Sequence, residues 1–188
     1  GLYDLELKII HSNNLLKRKN QLEKAKIYLI TSDDVNICDK VLKAIQAGIK
    51  VIQFRSKDLN DKTKFDKAKK LALICKQNDS LFIINDRPDI ALALDADGVH
   101  LGQSDLPIEV VRKIIGPEKL IGKSIHSKIE MKTAEKEGCD YIGVGPINNT
   151  ETKPDLKPIG IEAMEEIANE TCLVWFAIGG INHKNLNN

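Results

Sequence analysis

Six short stretches hold side chains able to grip a charged ligand. QFRSKD (53–58) places Gln53, Arg55 and Lys57 at every second residue, and NDR (85–87) sets Asn85 beside Asp86. GQSD (102–105) carries Gln103 and Asp105, and GKSIHS (122–127) carries Ser124 and His126. GPINNTETK (145–153) offers Thr150, Thr152 and Lys153, and AIGGIN (177–182) bares the backbone N–H groups of Gly179 and Gly180. A period of two puts Gln53, Arg55 and Lys57 on one side of an extended segment, so an amide and two cations would converge there. Asp86 and Asp105 suit shared Mg2+ binding, because this hard cation takes one or two carboxylates together with water and phosphate oxygens. Each stretch has a plainer explanation: a solvated strand end for QFRSKD, helix N-caps for the aspartates, a Gly-Pro-Asn turn for GPINNTETK. No Ser-His-Asp order, Cys-His pair or zinc-ligand spacing accompanies them. The inventory suits a metal-bound diphosphate better than a peptide bond.

The elements that must position these groups are short apolar runs rich in Val and Ile. They are KIYLI (26–30), IKVIQF (49–54), LFIIN (81–85), DGVHL (97–101), KLIG (119–122), YIGV (141–144) and LVWFAI (173–178). Helical patterns lie between them, at 41–48, 65–77, 108–116, 130–138 and 161–168. Gly48, Gly116 and Gly138 fall where a helix C-terminus wants a positive φ. Alternating strands and helices imply parallel pairing, and strands apolar almost throughout imply cover on both faces. No GxGxxG follows the first strand, so the expected class is α/β, a (β/α)8 TIM barrel, with seven strand–helix units readable and the eighth absent. Residues 1–24 form an N-terminal extension, expected as a strand-like piece and a short helix capping the barrel bottom, with no chemistry. Residues 25–188 form the barrel, C-terminally incomplete. In this architecture the active site lies at the C-terminal strand ends, where the six stretches fall.

Composition narrows the function. Hydrophobic content of 42% with 29% charged residues fits a globular domain with a sizeable core. A net charge of +1 gives no support to a nucleic-acid or membrane partner. The lysine cluster at 62, 64, 67, 69 and 70 is interleaved with Phe65, Ala68 and Leu71, as on the solvated face of an amphipathic helix. Cys38, Cys75, Cys139 and Cys172 stand far apart with no CxxC pair, which points to a reducing, cytoplasmic compartment. No apolar run approaches the ~20 residues of a membrane helix, and no signal peptide is expected.

QFRSK, NDRPDIALALDADGVHLGQSD, GKSIHS, GPINNTETK with the following PIG (158–160), and AIGGI together resemble the thiamine phosphate synthase (thiamine-phosphate pyrophosphorylase) family. The resemblance runs in order over roughly residues 26–188. It implies a transferase: hydroxymethylpyrimidine diphosphate loses pyrophosphate in a dissociative step, and the ring nitrogen of a thiazole phosphate attacks the exposed CH2. It implies Mg2+ held by Asp86 and Asp105. Gln53, Arg55, Lys57, Asn85, Ser124 and Lys153 would bind the pyrimidine diphosphate, with Arg55, Lys57, Ser124 and Lys153 as the catalytic set. Thr150, Thr152, Gly179 and Gly180 would hold the thiazole phosphate, and Tyr28 would line the pyrimidine pocket. Partners would be these small molecules, with a homo-oligomer compatible. The family continues into an eighth unit whose strand ends in a Val-Ser step, absent here. Two alternatives stand beside this reading. A thiazole tautomerase would use His126 as general base, since GKSIHS is similar to the SVHS of those isomerases. A non-catalytic barrel would bind a phosphorylated ligand. Against the tautomerase stand QxRxK, the aspartate pair and TxTK together.

Overall fold

The computed structural model describes residues 2–150, 156–182 and 184–185. A helix α1 (Leu2–Glu23) precedes β1 (Tyr28–Ile30), α2 (Ile37–Gln46), β2 (Val51–Phe54), α3 (Asp61–Gln77), β3 (Leu81–Asn85), α4 (Pro88–Ala93) and β4 (Gly98–Leu101). Then follow α5 (Ile108–Ile115), β5 (Leu120–Ile125), α6 (Lys128–Lys136), β6 (Tyr141–Val144), α7 (Gly160–Glu170) and β7 (Val174–Ala177). The seven strands lie in chain order in one sheet, and β1–β2, β2–β3, β3–β4, β5–β6 and β6–β7 pair in parallel. This is the strand–helix succession of a TIM barrel, with seven of its units among the described residues. No described helix is long and apolar enough to cross a membrane.

The chain divides into two compact units: Gly1–Leu101 with Asp105–Ile121, and Gly102–Ser104 with Gly122–Asn188. In the first, β2 and β4 are buried along their whole length, as parallel strands covered on both faces must be. Val51, Ile52, Ile83, Val99, Leu101 and Leu71 of α3 are fully enclosed. Helix starts follow local chemistry. The Asn60 side chain accepts from the Thr63 N–H at 2.9 Å to open α3, and Ser127 accepts from the Glu130 N–H at 3.2 Å to open α6. Gly48, Gly116 and Gly138 take φ of 99°, 86° and 82° after α2, α5 and α6, as expected from their placement.

Two expectations need correction, and one helix was not singled out. Residues 2–23 are one continuous helix, not a strand-like piece with a short helix. Polar side chains on α1 reach residues ahead of β3, β4 and β5: Gln21 to Asp79, Arg18 to Asp97, Asn14 to Glu118. Between β3 and β4 a six-residue helix, α4, occupies a segment too short to show a 3.6-residue period. It starts with Pro88 at its first turn, where a missing N–H does no harm. Finally, β5 runs three residues past the apolar run KLIG, to Ile125, and so includes Ser124.

Candidate active site

In the first unit the start of β1 and the later halves of β2 and β4 bring together a phenol, an amide and an imidazole. Gln53 is almost fully buried and its Nε2 donates to the Tyr28 hydroxyl at 2.9 Å. The His100 ring, also buried, stands edge-on to Tyr28 with centroids 6.4 Å apart. Such a surface suits a flat heteroaromatic ring, which needs both stacking area and a few placed hydrogen bonds. The resemblance gave Tyr28 as lining a pyrimidine pocket and Gln53 as a ligand of the pyrimidine diphosphate; His100 was not singled out. The signal was a lone polar residue in the apolar run DGVHL.

The period-two alternation of Gln53, Arg55 and Lys57 is not carried by a strand, because β2 ends at Phe54. The Arg55 N–H donates to Thr31 Oγ1 at 3.2 Å, which aligns the start of the loop. Lys57, two residues beyond Arg55 in that loop, is exposed to solvent.

The ends of β3 and β4 hold the acidic pair. Asp86 leaves β3 with φ 61°, while its N–H still donates to the His100 carbonyl at 2.9 Å. Its carboxyl is hydrogen-bonded to Asp105 and to the Asn85 side chain. Burial, then Asp105 as hydrogen-bond partner and like charge, push its pKa up to about 6, against the pull of Asn85 and Arg55. Two carboxylates this close share a proton unless a cation takes its place. Asp105 is not a helix cap: α5 is capped at Pro107. Two carboxylates fit Mg2+, which completes its shell with water and phosphate oxygens. Among the described residues no group of three or more His, Cys, Asp or Glu side chains assembles a metal cage, so such an ion would depend on ligand oxygens.

In the second unit, the Ser124 carbonyl accepts from Gln103 Nε2 at 2.7 Å, and the buried Lys123 Nζ donates to the Gly102 carbonyl at 3.0 Å. These reciprocal bonds tie the 102–104 segment to β5. His126 donates its N–H to Glu130 Oε2 at 2.6 Å, and its Nδ1 bonds the Gly145 carbonyl. That ring nitrogen therefore anchors the β6 loop.

The GPINN stretch continues the β6–β7 pairing past the strand ends, with Ile147 N–H to Ile178 O at 2.8 Å and Asn148 N–H to Gly179 O at 3.0 Å. Gly179 and Gly180 take φ of 95° and 65°. A Cβ on Gly179 would fall 2.5 Å from Pro146 Cβ, and one on Gly180 would fall 2.5 Å from the Asn149 carbonyl. The two glycines thus let these loops lie against each other. Thr150 ends the described part of the loop. Thr152 and Lys153 lie outside the described residues.

The sequence model of the family described as thiamine monophosphate synthase matches residues 27–188. A thiamine-phosphate synthase of Prochlorococcus marinus is 49% identical over 191 residues, covering 99% of this chain and 54% of that protein. The thiamine-phosphate synthase of a Synechocystis species is 45% identical over 185 residues, covering 98% and 53%. The chain spans about half the length of the curated relatives it matches. Among solved structures, the thiamine phosphate pyrophosphorylase of Pyrococcus furiosus superposes with a TM-score of 0.79 at 38% identity, covering 89% of this chain and 79% of that one. On both sequence and fold, the chain belongs to the thiamine monophosphate synthase family.

Proposed function

We propose that the protein transfers the pyrimidinylmethyl group of hydroxymethylpyrimidine diphosphate to a thiazole phosphate, releasing pyrophosphate and forming thiamine phosphate. The observation that carries this reading is the Asp86–Asp105 carboxyl pair at the C-terminal ends of β3 and β4, with Arg55 close enough to act on Asp86. A Mg2+ ion bound there would neutralise diphosphate charge. Asp86 and Asp105 would hold it, with Asn85 orienting Asp86 through their hydrogen bond.

Tyr28, Gln53 and His100 would seat the pyrimidine. Arg55 faces the charge that grows on pyrophosphate as the C–O bond breaks. A unit charge pair at 4 Å is worth about 4 kcal/mol at an effective dielectric of 20, so each cation aimed at the leaving group matters. Lys57, exposed and without a partner among the described residues, is free to swing onto bound diphosphate. Ser124 and Lys153 are proposed as further ligands of the diphosphate. Thr150, Thr152, Gly179 and Gly180 would bind the thiazole phosphate. No general base is required, because the attacking thiazole nitrogen already has a lone pair.

The test is direct. Protein, pyrimidine diphosphate, thiazole phosphate and Mg2+ are combined, and thiamine phosphate and pyrophosphate are sought by mass spectrometry. Stoichiometric appearance of both is expected, and their absence from folded full-length protein would sink the proposal. Lys153→Ala should slow the reaction by roughly 10²–10³-fold if it acts as a preorganised charge stabiliser.

A further inference from the structure

Arg87, next in chain to Asp86, makes four hydrogen bonds to two carboxylates. Its Nε and Nη2 donate to Asp89 Oδ1 and Oδ2 at 2.9 and 2.6 Å, and its Nη1 and Nη2 donate to Asp61 Oδ1 and Oδ2 at 2.6 and 3.4 Å. Asp89 lies in the first turn of α4, and Asp61 is the first residue of α3, where the loop carrying Arg55 and Lys57 ends. One guanidinium thus ties together the ends of two loops that follow β2 and β3. Surface ion pairs are usually worth little, but a planar fork held from two sides fixes geometry as well as charge.

The geometry has a use at Asp86. A non-glycine residue in the left-handed region persists only when its neighbours over-determine it. Upstream, the Asp86 N–H is held by the His100 carbonyl; downstream, Arg87 is the anchor. We propose that Arg87 is a positioning residue for the divalent-cation site, fixing the turn that aims the Asp86 carboxylate toward Asp105. This inference rests on the reading of Asp86 and Asp105 as metal ligands.

The experiment is a Mn2+ titration followed by electron paramagnetic resonance, in the presence of inorganic pyrophosphate, with thermal unfolding of each ligand-free variant in parallel. Arg87→Gln should weaken Mn2+ binding by about ten-fold, the usual scale for loss of a group that orients a metal ligand. Arg87→Lys keeps the charge but not the bidentate fork, so it should restore thermal stability without restoring affinity. Asp61→Asn, at an exposed carboxylate that leaves folding intact, should weaken binding in the same direction by a smaller factor. Unchanged Mn2+ affinity in Arg87→Gln, or full rescue by Arg87→Lys, overturns the role of Arg87 alone. Wild-type protein that binds no Mn2+ even with pyrophosphate overturns both this role and the metal reading beneath it.

Discussion

The two ends of the β3–β4 pair treat aspartate in opposite ways. Ahead of the strands, Asp97 accepts from Arg18 Nε at 2.9 Å and from the Phe82 N–H at 2.9 Å, while Arg18 also donates to the Glu118 carbonyl at 3.0 Å. Beyond the strands, Asp86 is hydrogen-bonded to another carboxyl, that of Asp105. The same residue type is satisfied at one end and frustrated at the other. Satisfied groups hold the fold together, whereas a frustrated carboxyl pair is a place where binding a cation would be most favourable.

The largest expected break in this contrast is Asp86→Asn. Turnover should fall on the order of 10³-fold, as when a preorganised transition-state contact is lost. At pH 7 the ligand-free protein should unfold no earlier than wild type, because the change removes an ionised group that folding disfavours. A substitution that lowered both rate and stability would erase the distinction between the ends. At the other end, Arg18→Met should leave Asp97 without its ion partner and cost about 2–3 kcal/mol in urea unfolding, somewhat below the figure for a fully buried pair. The rate per folded molecule should hold.

Gly98, which opens β4, sharpens the same point. A Cβ there would lie 2.3 Å from the Leu120 carbonyl oxygen, a backbone atom that cannot swing aside. Gly98→Ala should therefore cost about 1–3 kcal/mol in stability, with the loss measured by thermal unfolding.

A smaller effect separates the ends by pH. The Asp86 carboxyl titrates near 6 in the folded protein, above the roughly 3.9 of an unfolded aspartate. Its contribution to stability is therefore fully present below about pH 4 and is lost as the pH rises through about 6. Ligand-free wild type should lose thermal stability between pH 5 and 7 relative to Asp86→Asn, and bound Mg2+ should abolish the difference. The smallest change expected is His126→Ala, a few-fold in rate, since its ring serves to anchor the Gly145 carbonyl. A loss as large as that of Asp86→Asn would move proton transfer to His126.

Much of this arrangement was legible from residue types. The Val- and Ile-rich runs mark the seven described strands, because parallel strands covered by helices favour such compositions, although β1 and β7 are only half-buried. Gln53 stands out as a polar residue inside the run IKVIQF, and Asp86 and Asp105 as acidic residues just beyond the runs LFIIN and DGVHL. What could not be read depends on distance in the chain or on short length. Arg87 finds Asp61 across 26 residues, and no local pattern announces that. The segment holding α1 has apolar residues on more than one face: Leu22 is buried, whereas Leu5, Ile9 and Leu16 are exposed, which blurs the period of a helix. The period-two alternation of Gln53, Arg55 and Lys57 runs past the strand that would carry it, because β2 stops at Phe54.

The central claim is that the C-terminal ends of β3 and β4 take a metal-bound diphosphate while their opposite ends take none. Crystals grown with Mn2+ and pyrophosphate test it through anomalous scattering. The account predicts a peak at about 2.0–2.3 Å from carboxylate oxygens of both Asp86 and Asp105, with pyrophosphate oxygens completing the shell. A peak at neither residue, or one only beside Asp97 and Asp79, would contradict it.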